Sequence, residues 1–108
     1  MTKTPLYHYT DTSGYNAIRA EVTWRFLAQK PPGDHPIGAY FTNLHPDTPK
    51  LAKRLRIPRS KLAFEFSFAD VGDLQPLDGG RGEYILYSPV DYEVPEDRQI
   101  ESGSTGLE

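Results

Sequence analysis

The chain has 108 residues, enough for one small core, and its 37% hydrophobic and 25% charged residues are the balance of a globular chain rather than a disordered one. It contains no cysteine, which excludes disulfides, thiolate nucleophiles and cysteine-ligated metals. The net charge of −3 gives no overall attraction to nucleic acid, no apolar run approaches the roughly 18–20 residues of a membrane helix, and Met1 to Pro5 shows no apolar stretch of a secretory signal.

Leu6 to Thr10, aromatic and β-branched, predicts a short strand. Asp11 to Gly14 is a turn in which Asp11, Thr12 or Ser13 can cap a helix running from Tyr15 to about Ala20, with Tyr15 and Ile18 on one face. Val22 to Leu27 reads as a second extended segment. Lys30 to Pro36 is rich in Pro and Gly and is expected to be a mobile loop able to cover a ligand. Gly38 to Thr42 predicts another strand. Asn43 to Pro49 then turns into a short basic helix over Lys50–Arg56, with Asp47 or Thr48 as N-cap, Pro49 at the first helical position and Leu51 and Leu55 facing inward. Ile57-Pro58 ends that helix.

Leu62 to Phe68 carries the clearest strand pattern. Phe64, Phe66 and Phe68 alternate with Ala63, Glu65 and Ser67, as in a sheet with one buried face. Asp70 to Gly82 is a turn-rich loop closed by Gly79-Gly80-Arg81-Gly82, and Glu83 to Tyr87 is a strong strand stopped by Ser88-Pro89. Tyr92 to Ile100 gives a last edge strand. Gly103 to Glu108 reads as a flexible tail, with 104–108 outside the domain in the manner of a cloning scar. The expectation is one α+β domain over 1–103, a small, mostly antiparallel sheet with a few short helices.

Six cations, Lys50, Lys53, Arg54, Arg56, Arg59 and Lys61, fall within residues 50–61. The plain reading is a solvated helix face; the functional one is contact with a pyrophosphate or an acidic target. His8, His35 and His45 have no metal-ligand spacing, so no metal is expected.

Three segments carry the chemistry: Leu-Tyr-His-Tyr-Thr-Asp at 6–11, Gly-Ala-Tyr-Phe-Thr-Asn at 38–43 and Gly-Glu-Tyr-Ile-Leu-Tyr at 82–87. Singly, a strand His is a structural hydrogen-bonder, a strand Tyr is core, and a Glu opening a strand is solvated. In this order they resemble the ADP-ribosyltransferases of the diphtheria-toxin and poly(ADP-ribose) polymerase clan. The nearest resemblance, over roughly residues 5 to 103, is to a bacterial toxin-type branch with a His-Tyr-Asp signature. Its motifs stand here as His8-Tyr9-Thr10-Asp11, Gly38 to Pro46, and Ile100-Glu101-Ser102-Gly103.

The resemblance implies an ADP-ribosyltransferase-like split sheet, NAD+ as donor substrate, and cleavage of the nicotinamide–ribose bond through an oxocarbenium-like transition state. ADP-ribose then passes to an acceptor or, in a toxin, to water. His8, Tyr40 and Glu83 become the catalytic triad. Glu83 stabilises the positive charge and holds a ribose hydroxyl, Tyr40 stacks on nicotinamide, and His8 orients the ribose. The Tyr9 backbone takes the carboxamide, Thr10 reaches the adenine-side ribose, Gly38 and Phe41 flank Tyr40 in the donor pocket, and Arg19 serves the pyrophosphate.

Two departures stand out. Tyr9 replaces the Gly found after the His in many members, and the basic helix lacks a second stacking Tyr, for which Tyr15, Trp24 or Phe41 are substitutes. Asp70 or Asp73 is the alternative acid, since an Asp serves in the His-Tyr-Asp branch, although Glu83 heads the better motif. A toxin reading further implies a cytoplasmic target, delivery into a target cell, and an immunity protein or antitoxin as partner. The acceptor is a protein, a nucleic acid or a small molecule. The competing readings are an RNA 2′-phosphotransferase-like enzyme, against which the net charge argues, a non-catalytic ADP-ribose-, NAD- or protein-binding member of the fold, and an unrelated α+β binding module.

Overall fold

A computed structural model describes residues 5–29, 36–77 and 84–107. The chain begins with strand β1, Pro5–Thr10, followed by helix α1, Thr12–Arg19. Asp11 caps α1 by accepting from the Gly14 amide at 2.9 Å, so the helix starts ahead of Tyr15 and the acidic cap choice holds. A short β2, Trp24–Phe26, and β3, Ala39–Thr42, come next, and then helix α2, Leu51–Leu55. A 3-10 turn over Arg59–Leu62 leads into β4, Phe64–Ala69. The remaining strands are β5, Gln75–Pro76; β6, Ile85–Ser88; β7, Tyr92–Val94; and β8, Gln99–Ser104. Glu83 and the glycines before it lie outside the described residues, as do 30–35 of the Pro/Gly-rich loop.

The described strands form two antiparallel sheets. Six strands take the order β5-β6-β3-β1-β4-β8, and β2 pairs with β7 alone. The fold is thus α+β with a mostly antiparallel sheet and two helices, as the sequence led us to expect. Along β1 every residue from Pro5 to Thr10 is in register with β4. Toward β3 the register is confined to Tyr7 opposite Thr42. The six-stranded sheet is therefore two three-stranded halves joined by a one-pair seam.

Strand alternation assigns the faces. Leu6, Phe66, Phe68, Ala39 and Phe41 point toward the small sheet, where Trp24, Phe26, Tyr92 and Val94 close an aromatic core. Phe26, Phe66, Phe68 and Val94 are almost wholly buried. Tyr7 and Tyr9 face the other way, onto Leu51 and Leu62 of the basic segment.

Several expectations are corrected. α2 is not capped by Asp47 or Thr48, nor does Pro49 open it; Lys50 does, in a left-handed conformation with φ 57° and no side-chain cap. The helix closes in a Schellman turn on Arg56, φ 56°: the Arg56 amide donates to Lys53 and the Ile57 amide to Ala52. Local sequence favours the cap at 47–49, but burial of Leu51 against Tyr7 and Tyr9 sets the helix start. β4 is buried on both faces, since β8 flanks it and Glu65 and Ser67 are inside. Burial and the neighbouring Glu101 carboxylate raise the Glu65 pKa, and its Oε2 has no hydrogen-bond partner among the described residues. The stretch expected as a tail is tied in: Gly103 and Ser104 pair with Glu65 and Phe64, the Thr105 amide donates to Ala63 at 2.9 Å, and Leu107 packs against the Tyr7 cluster.

Candidate active site

A cavity of about 510 Å³ lies over the seam, within the roughly 300–1,000 Å³ common for small-molecule sites. β1 contributes Tyr7, His8 and Tyr9, and β3 contributes Tyr40, Phe41 and Thr42. The basic segment closes one wall with Leu55 to Pro58 and Lys61, and Leu77 and Ile85 complete it. The structure thus brings together His8, Tyr9, Tyr40 and Phe41 of the residues singled out from sequence.

His8 stands opposite Phe66 on the aromatic-core face, its ring 4.7 Å from Phe26 and 5.7 Å from Phe41, centroid to centroid. Its Nδ1 pairs with the Tyr40 carbonyl oxygen at 3.0 Å. A carbonyl only accepts, so Nδ1 carries the proton, and in the neutral ring Nε2 is an acceptor. The imidazole therefore serves a backbone group across the seam, where the ladder itself stops. Burial pushes its pKa below the ordinary histidine range, against the opposing pull of the Tyr40 carbonyl.

This geometry sets an expected result. His8→Phe keeps an aromatic ring and loses the donor, removing one hydrogen bond to the Tyr40 carbonyl at a cost of about 0.5–1.5 kcal/mol. His8→Asn, whose amide nitrogen can replace Nδ1, should cost less. Because the native pKa is depressed, the unfolded chain binds the extra proton first. The stabilisation is full above the ordinary value of about 6.5 and is lost as pH falls from there toward the native value. Urea midpoints at pH 7.5 and 5.5 should diverge less in both variants than in the wild type. An unchanged pH slope would assign the titration elsewhere.

Tyr40 lies on the opposite face of its strand from Phe41, so the His8 and Tyr40 rings leave the seam on opposite sides. Its ring stacks on Tyr87, 5.5 Å between centroids at 18°, and its hydroxyl donates to the Pro36 carbonyl. Burial and Tyr87 hold the Tyr40 hydroxyl above its ordinary pKa. The ring that stacks on Tyr40 thus comes from β6 and not from the helix after Tyr40. Of the substitutes considered from sequence, Tyr15 stacks on Phe64 at 4.3 Å and Trp24 meets Phe66 edge-on, both in the core, while Phe41 borders the cavity.

The other expected ligand-binding residues lie elsewhere. Thr10 is buried against α1, where a Cβ on Gly14 would fall 2.0 Å from its hydroxyl oxygen. Arg19 lies over the Tyr15 ring at 5.3 Å, outside the cavity wall. Gly38 is small for packing rather than for a ligand, since a Cβ there would come 2.7 Å from the Ser88 carbonyl. Asp70 accepts from the Gly72 amide in its own loop, and Asp73 accepts from the Tyr92 hydroxyl, which Arg98 also meets. Among the described residues no Asp or Glu borders the cavity.

Sequence reasoning passed over Tyr7 and Ile85 and left Arg56 and Lys61 in a diffuse basic stretch. Lys61 had a readable signal in Asp11 of the His8 motif: the two form an ion pair at 2.6 Å that depresses the Asp11 pKa and pins the basic wall to the start of α1. The described lining is aromatic and aliphatic, with a cationic rim at Arg56 and Lys61. Among the described residues no cluster of His, Cys, Asp or Glu is arranged to hold a metal ion. Compared with known proteins, the chain matches no family model, no curated protein and no solved structure.

Proposed function

We propose that the chain is an NAD+-dependent ADP-ribosyltransferase domain, with the donor bound over the β1–β3 seam. The observation that carries the reading is the cavity itself, which gathers His8, Tyr9, Tyr40 and Phe41, the residues of two of the three motifs, around one opening. His8 acts through its Nδ1–H, which holds the Tyr40 carbonyl and so fixes the strand that carries Tyr40 beside the donor. The Tyr40–Tyr87 stack offers an aromatic edge to nicotinamide. Arg56 at the wall supplies charge for a pyrophosphate, beside Lys61 held by Asp11. Glu83 is assigned the carboxylate beside the breaking bond. Nicotinamide leaves with the electron pair of the C–N bond, and the ribosyl cation is captured by an acceptor nucleophile or water, which gives up a proton.

A second reading is a non-catalytic module that binds ADP-ribose or NAD+, in which His8 and Tyr40 serve the seam and the Tyr87 stack rather than chemistry. Nicotinamide release from NAD+ by the purified chain, run beside calorimetric NAD+ binding, separates the two. Release supports the transferase. Binding with no release, in the presence of protein, nucleic-acid and water acceptors, supports the module. Neither binding nor release rejects both.

A further inference from the structure

A second cavity, of about 500 Å³, lies on the other side of the basic segment. Its floor is aliphatic, formed by Leu51, Leu62 and Leu107, and Lys50, Lys53 and Arg59 stand at its rim. Among the described residues these three cations make no ion pair, while Lys61 of the same segment is engaged by Asp11. Residues 50–61 hold six cations and no acid, against six bases and fifteen acids in the rest of the chain. The molecule is therefore strongly polarised about this segment.

We propose that this cavity docks a short acidic polypeptide segment of a partner protein, which lays one aliphatic side chain on Leu107 over the buried Leu51 and Leu62 and sets carboxylates on Lys50, Lys53 and Arg59. Three observations select that occupant. An aliphatic floor suits a Leu-like side chain and offers no aromatic platform on which a base could stack. The cationic rim complements carboxylates and orients their approach. The basic patch is only twelve residues of chain in a molecule that is otherwise acidic. A few carboxylates match its three rim cations, and the net charge of −3 disfavours a long polyanion. The inference is independent of what the first cavity binds.

The test is fluorescence anisotropy with a labelled peptide of Asp and Glu around one central Leu, set against a single-stranded oligonucleotide of equal charge. The peptide is expected to bind at low salt and to weaken as salt is raised. Replacing its Leu with Ala should weaken it about tenfold, the scale of burying one such side chain. Lys53→Glu and Arg59→Glu should each weaken binding about tenfold or more. Methyl shifts on titration into the wild type give a readout that needs no variant, and they should centre on Leu51, Leu62 and Leu107. The proposal is overturned by no peptide binding at low salt, by indifference to the peptide Leu or to both charge reversals, by shifts centred elsewhere, or by an oligonucleotide that binds more tightly and displaces the peptide.

Discussion

Phe26→Ala is expected to destabilise the protein by about 3–5 kcal/mol, the usual scale for emptying a fully buried aromatic site. That is a large part of the roughly 5–15 kcal/mol holding a domain together. Phe26 is 1% exposed, and its ring meets Phe41 at 5.2 Å, Phe66 at 5.7 Å and Phe68 at 6.0 Å. It thereby touches both halves of the six-stranded sheet from the small sheet below. It also supports the His8 ring at 4.7 Å, so the cavity left by Ala removes the packing that holds the imidazole on the Tyr40 carbonyl. Urea unfolding reports the loss. Phe26→Leu, which keeps most of the volume, should cost less than about 1.5 kcal/mol. An Ala variant as stable as the Leu variant would mean that the site collapses and that Phe26 does not brace the halves.

If the chain is the proposed transferase, Glu83→Gln is expected to slow nicotinamide release on the order of 10²–10³-fold, the scale on which removing one electrostatic stabiliser acts. The amide is nearly isosteric and still hydrogen-bonds a ribose hydroxyl, so NAD+ affinity and the unfolding midpoint should change little. What it lacks is negative charge, which matters only as the ribose becomes cationic, so kcat and kcat/KM should fall together. Asp70→Asn and Asp73→Asn should stay active, because one carboxylate serves its own loop and the other the Tyr92 hydroxyl. An active Glu83→Gln beside a folded, inactive Asp70→Asn or Asp73→Asn would transfer the acid's role.

Those elements that were legible in sequence announce themselves locally. Asp11 caps α1 because its side chain reaches the Gly14 amide, a short-range choice written in adjacent residues. The Phe64-Phe66-Phe68 alternation marks β4 and the face that meets the small sheet. The misreadings are non-local. Gly103-Ser104 looks like the start of a tail because small residues have weak strand propensity, and only pairing with β4 makes them a strand. Glu65 looks like a solvent-facing residue because period-2 alternation does not tell that the cluster of Tyr7, Tyr9, Leu51 and Leu62 lies on the second face. Three motif strands were visible, yet the seam was not: the same period that finds a strand leaves its number of registered pairs unspecified, and His8 reads equally well as ligand contact or as a backbone donor. Here it is the donor, with one nitrogen left over.

The one-pair seam has a mechanical meaning. β5, β6 and β3 form one blade and β1, β4 and β8 another, each internally laddered, and they share a single rung at Tyr7 and Thr42. A sheet cut this way resists shear within each blade and yields between them. Across the seam, the His8–Tyr40 hydrogen bond and the Phe26 packing stand in for the missing rungs. Amides facing the seam should exchange with solvent by shallow breathing between the blades, while those between β1 and β4 wait for global unfolding.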